Sequence, residues 1–422
     1  MAHLGLLSFP GTGHLNPLTA LGRKLRSCGH DIAYFQIADC EPAIHAAGLN
    51  YVQIGHEDFP VGTLRKLDDE LGRLKGLKAI QFSVERVRRS AVMMMRDGPE
   101  AIRRSGVTQL VVDQAEIGGG TVAEHLGLPF VTVTFFIPLN LDSSVPFFGY
   151  HSQHGRSVYH RVRNHLGNVL FTRTTAPARG PVRAKRIEWG LPPLKSVNDL
   201  NSRLALITQT PAAFEFPGRR LPPNFHYTGP WTDPNSRKRI DFPWDRLDSN
   251  RPLIFASMGT LQNQMTHVFK TIAEACTGLP MQLVLSLGGG KKPEELGPMP
   301  GDPIVVQYAP QLELIRKATL VITHAGLNTT LESLASGVPM VAIPVTNDQP
   351  GVAARIEWFG AGKRIPIAKL SVAKLNQAVR EVLGNPAYRA RAKELQSRIT
   401  AADGLETAAS IVERAFQLGA KS

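Results

Sequence analysis

The chain has 422 residues, 43% hydrophobic and 20% charged, and its 31 Pro and 38 Gly exclude collagen-like and low-complexity architectures. Lys and Arg outnumber Asp and Glu by 48 to 35, a formal net charge of +13. At roughly 100–200 residues per domain, the length implies two domains or at most three. The longest apolar run, 128–141, spans about 14 residues and is broken by Thr132, Thr134 and Pro138. A membrane-spanning helix needs about 20, so this run reads as a buried strand and loop. No charged leader or small-residue cleavage site precedes the first strand-like residues. Cys28, Cys40 and Cys276 are too few and too widely spaced for a disulfide framework or a zinc site. The expectation is a cytoplasmic protein.

Residues 4–9 read as a strand, 10–16 as a Gly/Pro loop and 17–27 as a helix, with Asn16 as cap and Pro17 at the first helical position. A second strand follows at 31–36. Residues 64–105 are helical in composition and carry Met93, Met94 and Met95, a run that suits a core or an adaptable apolar pocket. Strand 109–113, helix 117–125 and strand 130–134 repeat the alternation, which predicts a parallel sheet with helices on both faces.

Residues 143–187 contain no acid, while Arg156, Arg161, Arg163, Arg173, Arg179, Arg183, Lys185 and Arg186 all fall there. Two readings stand: a solvated basic face, or attraction to an anionic membrane surface. No aromatic-plus-basic motif supports nucleic-acid binding. Residues 216–252 hold seven prolines and many charges and read as a connection between domains.

After the connector, strands at 253–257, 282–286, 304–307, 320–323 and 339–343 alternate with helices near 266–277 and 328–335. The chain thus reads as α/β, two doubly wound Rossmann-like domains facing each other across a cleft. The expected boundaries are 1–230, a Pro-rich linker 231–252, a second domain 253–386, and terminal helices 387–422 packing back on the first domain.

In open parallel sheets ligands sit at the carboxyl ends of strands. The first strand is followed by Pro10-Gly-Thr-Gly-His-Leu-Asn-Pro17, where Gly11 and Gly13 allow close backbone approach. A dinucleotide fingerprint fails there, because its third glycine would fall on Asn16. His14 in this loop and Asp113 at the end of a later strand permit a dyad in which the acid orients the imidazole. In the second domain, strand 320–323 delivers His324, Gly326, Asn328 and Thr329 to a helix N-terminus, a set of donors suited to a pyrophosphate. Glu332, one turn in, suits ribose hydroxyls, yet Thr329-x-x-Glu332 is equally a capping box. Ser257-Met-Gly-Thr260 offers a second phosphate-facing loop.

The stretch from Tyr308 to Gln349, with Gln307-Tyr-Ala-Pro-Gln311, Thr323-His-Ala-Gly-Leu-Asn-Thr-Thr-Leu-Glu332 and Asn347-Asp-Gln349, resembles the nucleotide-sugar signature of glycosyltransferase family 1, the UDP-glycosyltransferases with the GT-B fold. Gly13-His-Leu-Asn-Pro17, Asp113 and Ser257-Met-Gly-Thr260 match as well, so the resemblance covers nearly the whole chain. Residues 112–116, 122–130 and 138–140 are further similar to zeaxanthin glucosyltransferases, with macrolide glycosyltransferases less close.

The resemblance implies His14 as general base and Asp113 as its orienting partner. It places Tyr308 against uracil, Gln311 on the base or ribose and Glu332 on the ribose. Gly13, Gly326, His324, Asn328, Thr329 and Thr260 would surround the diphosphate, and Asp348 and Gln349 the sugar hydroxyls. A terminal Gln points to UDP-glucose as co-substrate. Ala325 and Leu327 depart from the plant pattern, which has Cys and Trp there.

The implied reaction is an inverting transfer of a hexose to a hydroxyl, with no cofactor and no metal, there being no Asp-x-Asp motif. Phe130, Phe135, Phe136, Phe147, Phe148 and Tyr150, with Met94, suit either a core or a pocket for a hydrophobic carotenoid, terpenoid, flavonoid or macrolide acceptor. Alternatives are a lipid-linked transferase at the inner membrane face, a UDP-sugar epimerase on the same fold, or a non-catalytic UDP-sugar-binding subunit. The oligomeric state is left open.

Overall fold

The structure, a computed structural model, describes all residues except 75, 150–151, 238, 261–264, 290 and 419–422. Tyr150 therefore lies outside the described residues. Strands β1 (His3–Leu7), β2 (Asp31–Gln36), β3 (Asn50–Gln53), β4 (Gln109–Asp113), β5 (Phe130–Thr134), β6 (Leu206–Thr208) and β7 (Phe225–Tyr227) form one sheet in the order β3-β2-β1-β4-β5-β6-β7. Strands β8 (Leu253–Ser257), β9 (Gln282–Ser286), β10 (Ile304–Val306), β11 (Ala318–Thr323), β12 (Met340–Ala342) and β13 (Gly362–Arg364) form a second, in the order β10-β9-β8-β11-β12-β13. Every pairing in both is parallel.

Parallel strands are covered on both faces, which is why the middle of β4 (Leu-Val-Val) and β8 (Leu-Ile-Phe-Ala) are apolar without alternation and buried. In each sheet the winding direction reverses once, between β1 and β4 and between β8 and β11. Right-handed crossovers wound in opposite directions send the connecting helices to opposite faces. They also leave a crevice where the direction turns.

The helix at the first crevice corrects the expected start. It runs Thr12–Ser27, with Gly11 as cap and no side-chain cap bond, instead of beginning at Pro17 behind Asn16. The N–H groups of His14 and Leu15 both donate to the Gly11 carbonyl, at 3.0 and 2.9 Å, so the glycine turn itself opens the helix. His14 consequently stands in the first helical turn, and Pro17 lies inside the helix.

The terminal helices do not act as one unit. Leu395 and Ile399 of helix Pro386–Thr400 belong to the core under the second sheet. Only helix Gly404–Ala415 returns to the first, where Ala408, Ala409, Ile411 and Val412 join its core. The chain crosses between lobes twice, and the crossings touch: a side chain on Gly404 would strike the backbone of Gly229. The connector itself is anchored at both ends, Trp231 in the first core and Phe242 in the second.

Candidate active site

At the first switch point β1 and β4 are neighbours, with Leu7 in register with Val112. The residues that follow each strand therefore meet, although about a hundred positions separate them. His14 Nδ1 lies 2.7 Å from Asp113 Oδ2. A carboxylate only accepts, so Nδ1–H is the donor and Nε2 carries the lone pair. Asp113 is fully buried, and its two oxygens also accept from the N–H groups of Phe9, at 3.1 Å, and Ala115, at 3.0 Å. Three donors fix the carboxylate, and the carboxylate fixes the ring. His14 keeps 22% of its side chain exposed. The rings of Phe9, Phe135 and Phe136 surround it at 5.5, 6.0 and 5.8 Å.

At the second switch point β8 pairs with β11, and Ser257 is in register with Thr323. The loops after these strands close around His324. Its ring lies between two glycines, since a Cβ on either Gly259 or Gly326 would overlap it. Gly259 also has φ +71°, a conformation open chiefly to glycine. Burial pushes the His324 imidazole down to about 4 against a smaller opposing effect from the Ser257 backbone, so the ring is neutral at physiological pH. Its Nδ1 is buried and has no hydrogen-bond partner among the described residues. The next residue, Ala325, adopts φ +64°, a strain of the kind that clusters where backbone is shaped around a ligand.

Helix Leu327–Ala335 starts behind Gly326 with no side-chain cap bond, so the capping-box reading of Thr329 and Glu332 is not realised. Glu332 instead accepts from Gln311 Nε2 at 2.6 Å and from Arg237 Nη2 at 2.5 Å. Gln311 also donates to Thr329 Oγ1 at 3.3 Å. Each carboxylate oxygen retains a second acceptor direction. Tyr308 is 51% exposed, with its phenol over Gly289, where any Cβ would collide. The Gly288 backbone in turn packs against Gly259 and Thr260. A flat, open ring beside a glycine loop is a platform for stacking.

The lobes are joined through these same residues. Pro17 has no N–H to give to the carbonyl four residues back. That carbonyl, Gly13 O, accepts from Asn328 Nδ2 at 2.9 Å, and Asn328 Oδ1 accepts from Gln209 Nε2 at 2.6 Å. Asn328, expected at the diphosphate, stands in the structure as an interlobe clasp. Asp348 Oδ2 accepts from the Ile137 N–H at 3.3 Å. Burial raises the Asp348 carboxyl to about 6, opposed by backbone hydrogen bonds and by the nearby His14.

Behind them, Glu215 of the first lobe is ion-paired with Arg355 of the second and with Arg219, all three buried. Burial alone would raise the Glu215 carboxyl; the two guanidiniums outweigh it and hold the group at about 2. Arg219 also donates to the carbonyls of Pro138 and Asn140, at 2.6 and 3.3 Å.

Three expected positions sit differently. Met94 is fully buried in the first core against Gly98, which removes it from any pocket wall. Gln349 is buried, and its amide oxygen accepts from the Val345 and Thr346 N–H groups at 2.9 and 3.1 Å, bracing its own loop. Phe135 is core as well, edge-on to Trp231. Phe136 stays partly exposed beside His14, and Phe147 and Phe148 line a cavity with Pro138, Leu139 and Asn168. Sequence reasoning missed Gln209, Arg237 and the Glu215 cluster, which lie in stretches without a motif. The Gly288-Gly289 pair, one residue after β9, was a signal of a ligand-facing loop.

The sequence profile of the UDP-glucoronosyl and UDP-glucosyl transferase family matches residues 92–403. A zeaxanthin glucosyltransferase of Pantoea ananas is 30% identical over 422 residues, 99% of this chain and 97% of that protein. A second zeaxanthin glucosyltransferase, from Pseudescherichia vulneris, is 29% identical over 89% of this chain and 94% of its own length. Among solved structures, the glycotransferase of kitacinnamycin superposes with a TM-score of 0.76 over 98% of both chains at 23% identity, a likeness of fold.

Proposed function

This chain belongs to the UDP-glucoronosyl and UDP-glucosyl transferase family, and from that premise we propose an inverting, metal-independent transfer of glucose from UDP-glucose to a hydroxyl of a hydrophobic small molecule. The observation that carries the proposal is the His14–Asp113 pair, held at 2.7 Å beside the carboxyl of Asp348 from the opposite lobe. In this reading His14 Nε2 takes the acceptor's hydroxyl proton, the oxygen attacks the anomeric carbon, and UDP leaves from the opposite face. Asp113 stabilises the imidazolium that forms. Base assistance of this kind is worth about 10²–10⁴-fold.

On the donor side, Tyr308 stacks on the uracil, Gln311 and Glu332 meet the base and ribose, and Thr260, His324, Gly326, Asn328 and Thr329 surround the diphosphate. In this reading His324 stays neutral beside the diphosphate, and Asp348 is a partner of sugar hydroxyls. The leaving charge then rests on fixed dipoles. Among the described residues no group of three or more His, Cys, Asp or Glu is arranged to hold a metal ion. The acceptor is a carotenoid-type alcohol by likeness to the two zeaxanthin enzymes, with terpenoid, flavonoid and macrolide alcohols as the wider class. The same reading places the enzyme in the cytoplasm, peripherally at the inner membrane face.

Mass spectrometry of reactions containing UDP-glucose and mixed hydroxylated aglycones, with EDTA present, is expected to show products heavier by one hexose. An absolute Mg²⁺ requirement would contradict the metal-free account. Conversion of UDP-glucose without any acceptor would indicate an epimerase, and no product across a broad acceptor panel would indicate a binding subunit.

A further inference from the structure

Helix Val158–Thr174 leaves a row of aliphatic side chains in water. At 3.6 residues per turn, Val158, Val162, Leu166 and Leu170 fall on one flank, and they are 76, 53, 61 and 52% exposed. Tyr159, at 70%, adjoins them. The polar residues Asn164 and Gly167's neighbour Asn168 turn inward instead. Asn164 is buried, donating to the Ser143 carbonyl at 3.1 Å and accepting from Arg163 at 2.9 Å. A helix that packs on a core only to shield apolar residues from water would place them the other way round.

The charges around this face share one sign. Arg156, Arg161, Arg173 and Arg183 are exposed and have no ion-pair partner among the described residues. The other basic residues of the stretch are engaged: Arg186 with Glu124, Lys185 with Glu188, Arg163 with Asn164 and the Gln153 carbonyl, and Arg179 with Thr175. Apolar side chains flanked by unpaired guanidiniums on a helix about 25 Å long match the interface of an anionic bilayer. The negative surface attracts the arginines, and the aliphatic flank enters the headgroup boundary. No helix among the described residues is long and apolar enough to span a membrane, so the contact would be in the plane of the surface.

We propose that helix Val158–Thr174 docks the enzyme on anionic lipid. This rests on the hydrophobic-acceptor, membrane-face reading above and gives it a surface. The inner side of the same helix leads toward the site. Phe171 meets Phe147 and Phe148 at 5.2 and 5.7 Å, and Phe148 packs on Gly351, two residues after Gln349. Asn168 lines the cavity with Pro138 and Leu139. An aromatic wall thus runs from the docking helix toward the loop that carries Asp348.

Co-sedimentation of the full chain with phosphatidylcholine vesicles containing 30 mol% phosphatidylglycerol tests the proposal. The protein is expected to pellet with these vesicles, and at least about tenfold less with phosphatidylcholine alone or in 0.5 M NaCl. The pair Val162→Asp and Leu166→Asp, on exposed positions, is expected to lower binding by at least about tenfold. Arg161→Glu with Arg173→Glu should do the same. Both variants should keep wild-type thermal midpoints and wild-type transfer to a water-soluble phenol. A wild-type chain that stays in the supernatant, or an apolar-face variant that pellets as wild type does, overturns the proposal. So does sedimentation velocity showing a wild-type dimer that the aspartates dissociate while wild type ignores vesicles. If no acceptor is ever glucosylated but the vesicle results hold, the reaction reading fails and the docking surface stands.

Discussion

A histidine stands at each switch point, His14 in the helical turn that follows β1 and His324 directly after β11, and their surroundings give them opposite properties. His14 has a buried carboxylate on Nδ1 and a partly open ring among aromatic edges. His324 has no acid; two glycine backbones enclose it, and burial keeps it neutral down to about pH 4. In the proposed reaction the carboxylate partner holds the first ring in one tautomer and stabilises the imidazolium that transfer forms. Enclosure without a counter-charge forbids protonation of the second, which leaves a dipole fit to face a diphosphate that already carries charge. A place at a switch point does not assign chemistry; the neighbours of the ring do.

The contrast is sharpest when each ring is removed. His14→Ala is expected to lower kcat by about 10²–10⁴-fold while UDP affinity, measured by calorimetry, stays within about twofold. His324→Ala should instead lower kcat by about 10²-fold and weaken UDP binding as well, the mark of a group that contacts the leaving diphosphate. Equal UDP affinities in the two variants would erase the distinction.

A smaller effect is expected from Gly326→Ala, whose Cβ would press on the His324 ring. Overpacking costs about 1–3 kcal/mol. We expect it mainly in the donor KM, with acceptor KM unchanged; a shift in acceptor KM alone would place His324 on the wrong side of the cleft.

The smallest effect concerns the turn that carries Asp113. Glu116 donates its N–H to the Asp113 carbonyl at 2.9 Å, and its own buried carboxyl is pushed up to about 8 by burial. A raised acid holds a proton in the fold that the unfolded chain releases. Its contribution to stability is therefore complete below about 4.5 and is lost progressively as pH rises to about 8. Glu116→Gln should flatten that slope, so that its thermal midpoint relative to wild type is higher at pH 8 than at pH 5. An unchanged slope would mean that the carboxyl is ionised in the fold.

Much of this was legible in the chain. Strands β2, β4, β5, β8 and β9 fall where apolar runs bounded by turn residues put them, because a parallel strand buried on both faces has no polar alternation to disguise it. The site motifs were legible for a related reason: a ligand-facing loop after a strand concentrates Gly, His, Asn and Thr within a few positions. The short strands β3, β6, β7 and β13 were not, since three or four residues that include polar ones give no apolar run to read; the all-apolar β10 was legible at the same length. Pro17 misled for a definite reason. Proline suits a first helical turn, and nothing local reveals that its missing N–H frees the Gly13 carbonyl for Asn328 of the other lobe. Met94 carried no signal to separate core from pocket, because a flexible apolar side chain suits both.

Local composition and spacing determined the element types, the division into two wound sheets and the identity of the residues at the strand ends, since these follow from backbone preference and from period. Folding in three dimensions decided which of those residues meet: that Asp113 finds His14, that Arg237 finds Glu332, and that an aliphatic helix flank faces outward among arginines. Such pairings join positions about a hundred residues apart or lie on a surface whose neighbours the chain order does not specify, and only packing fixes them.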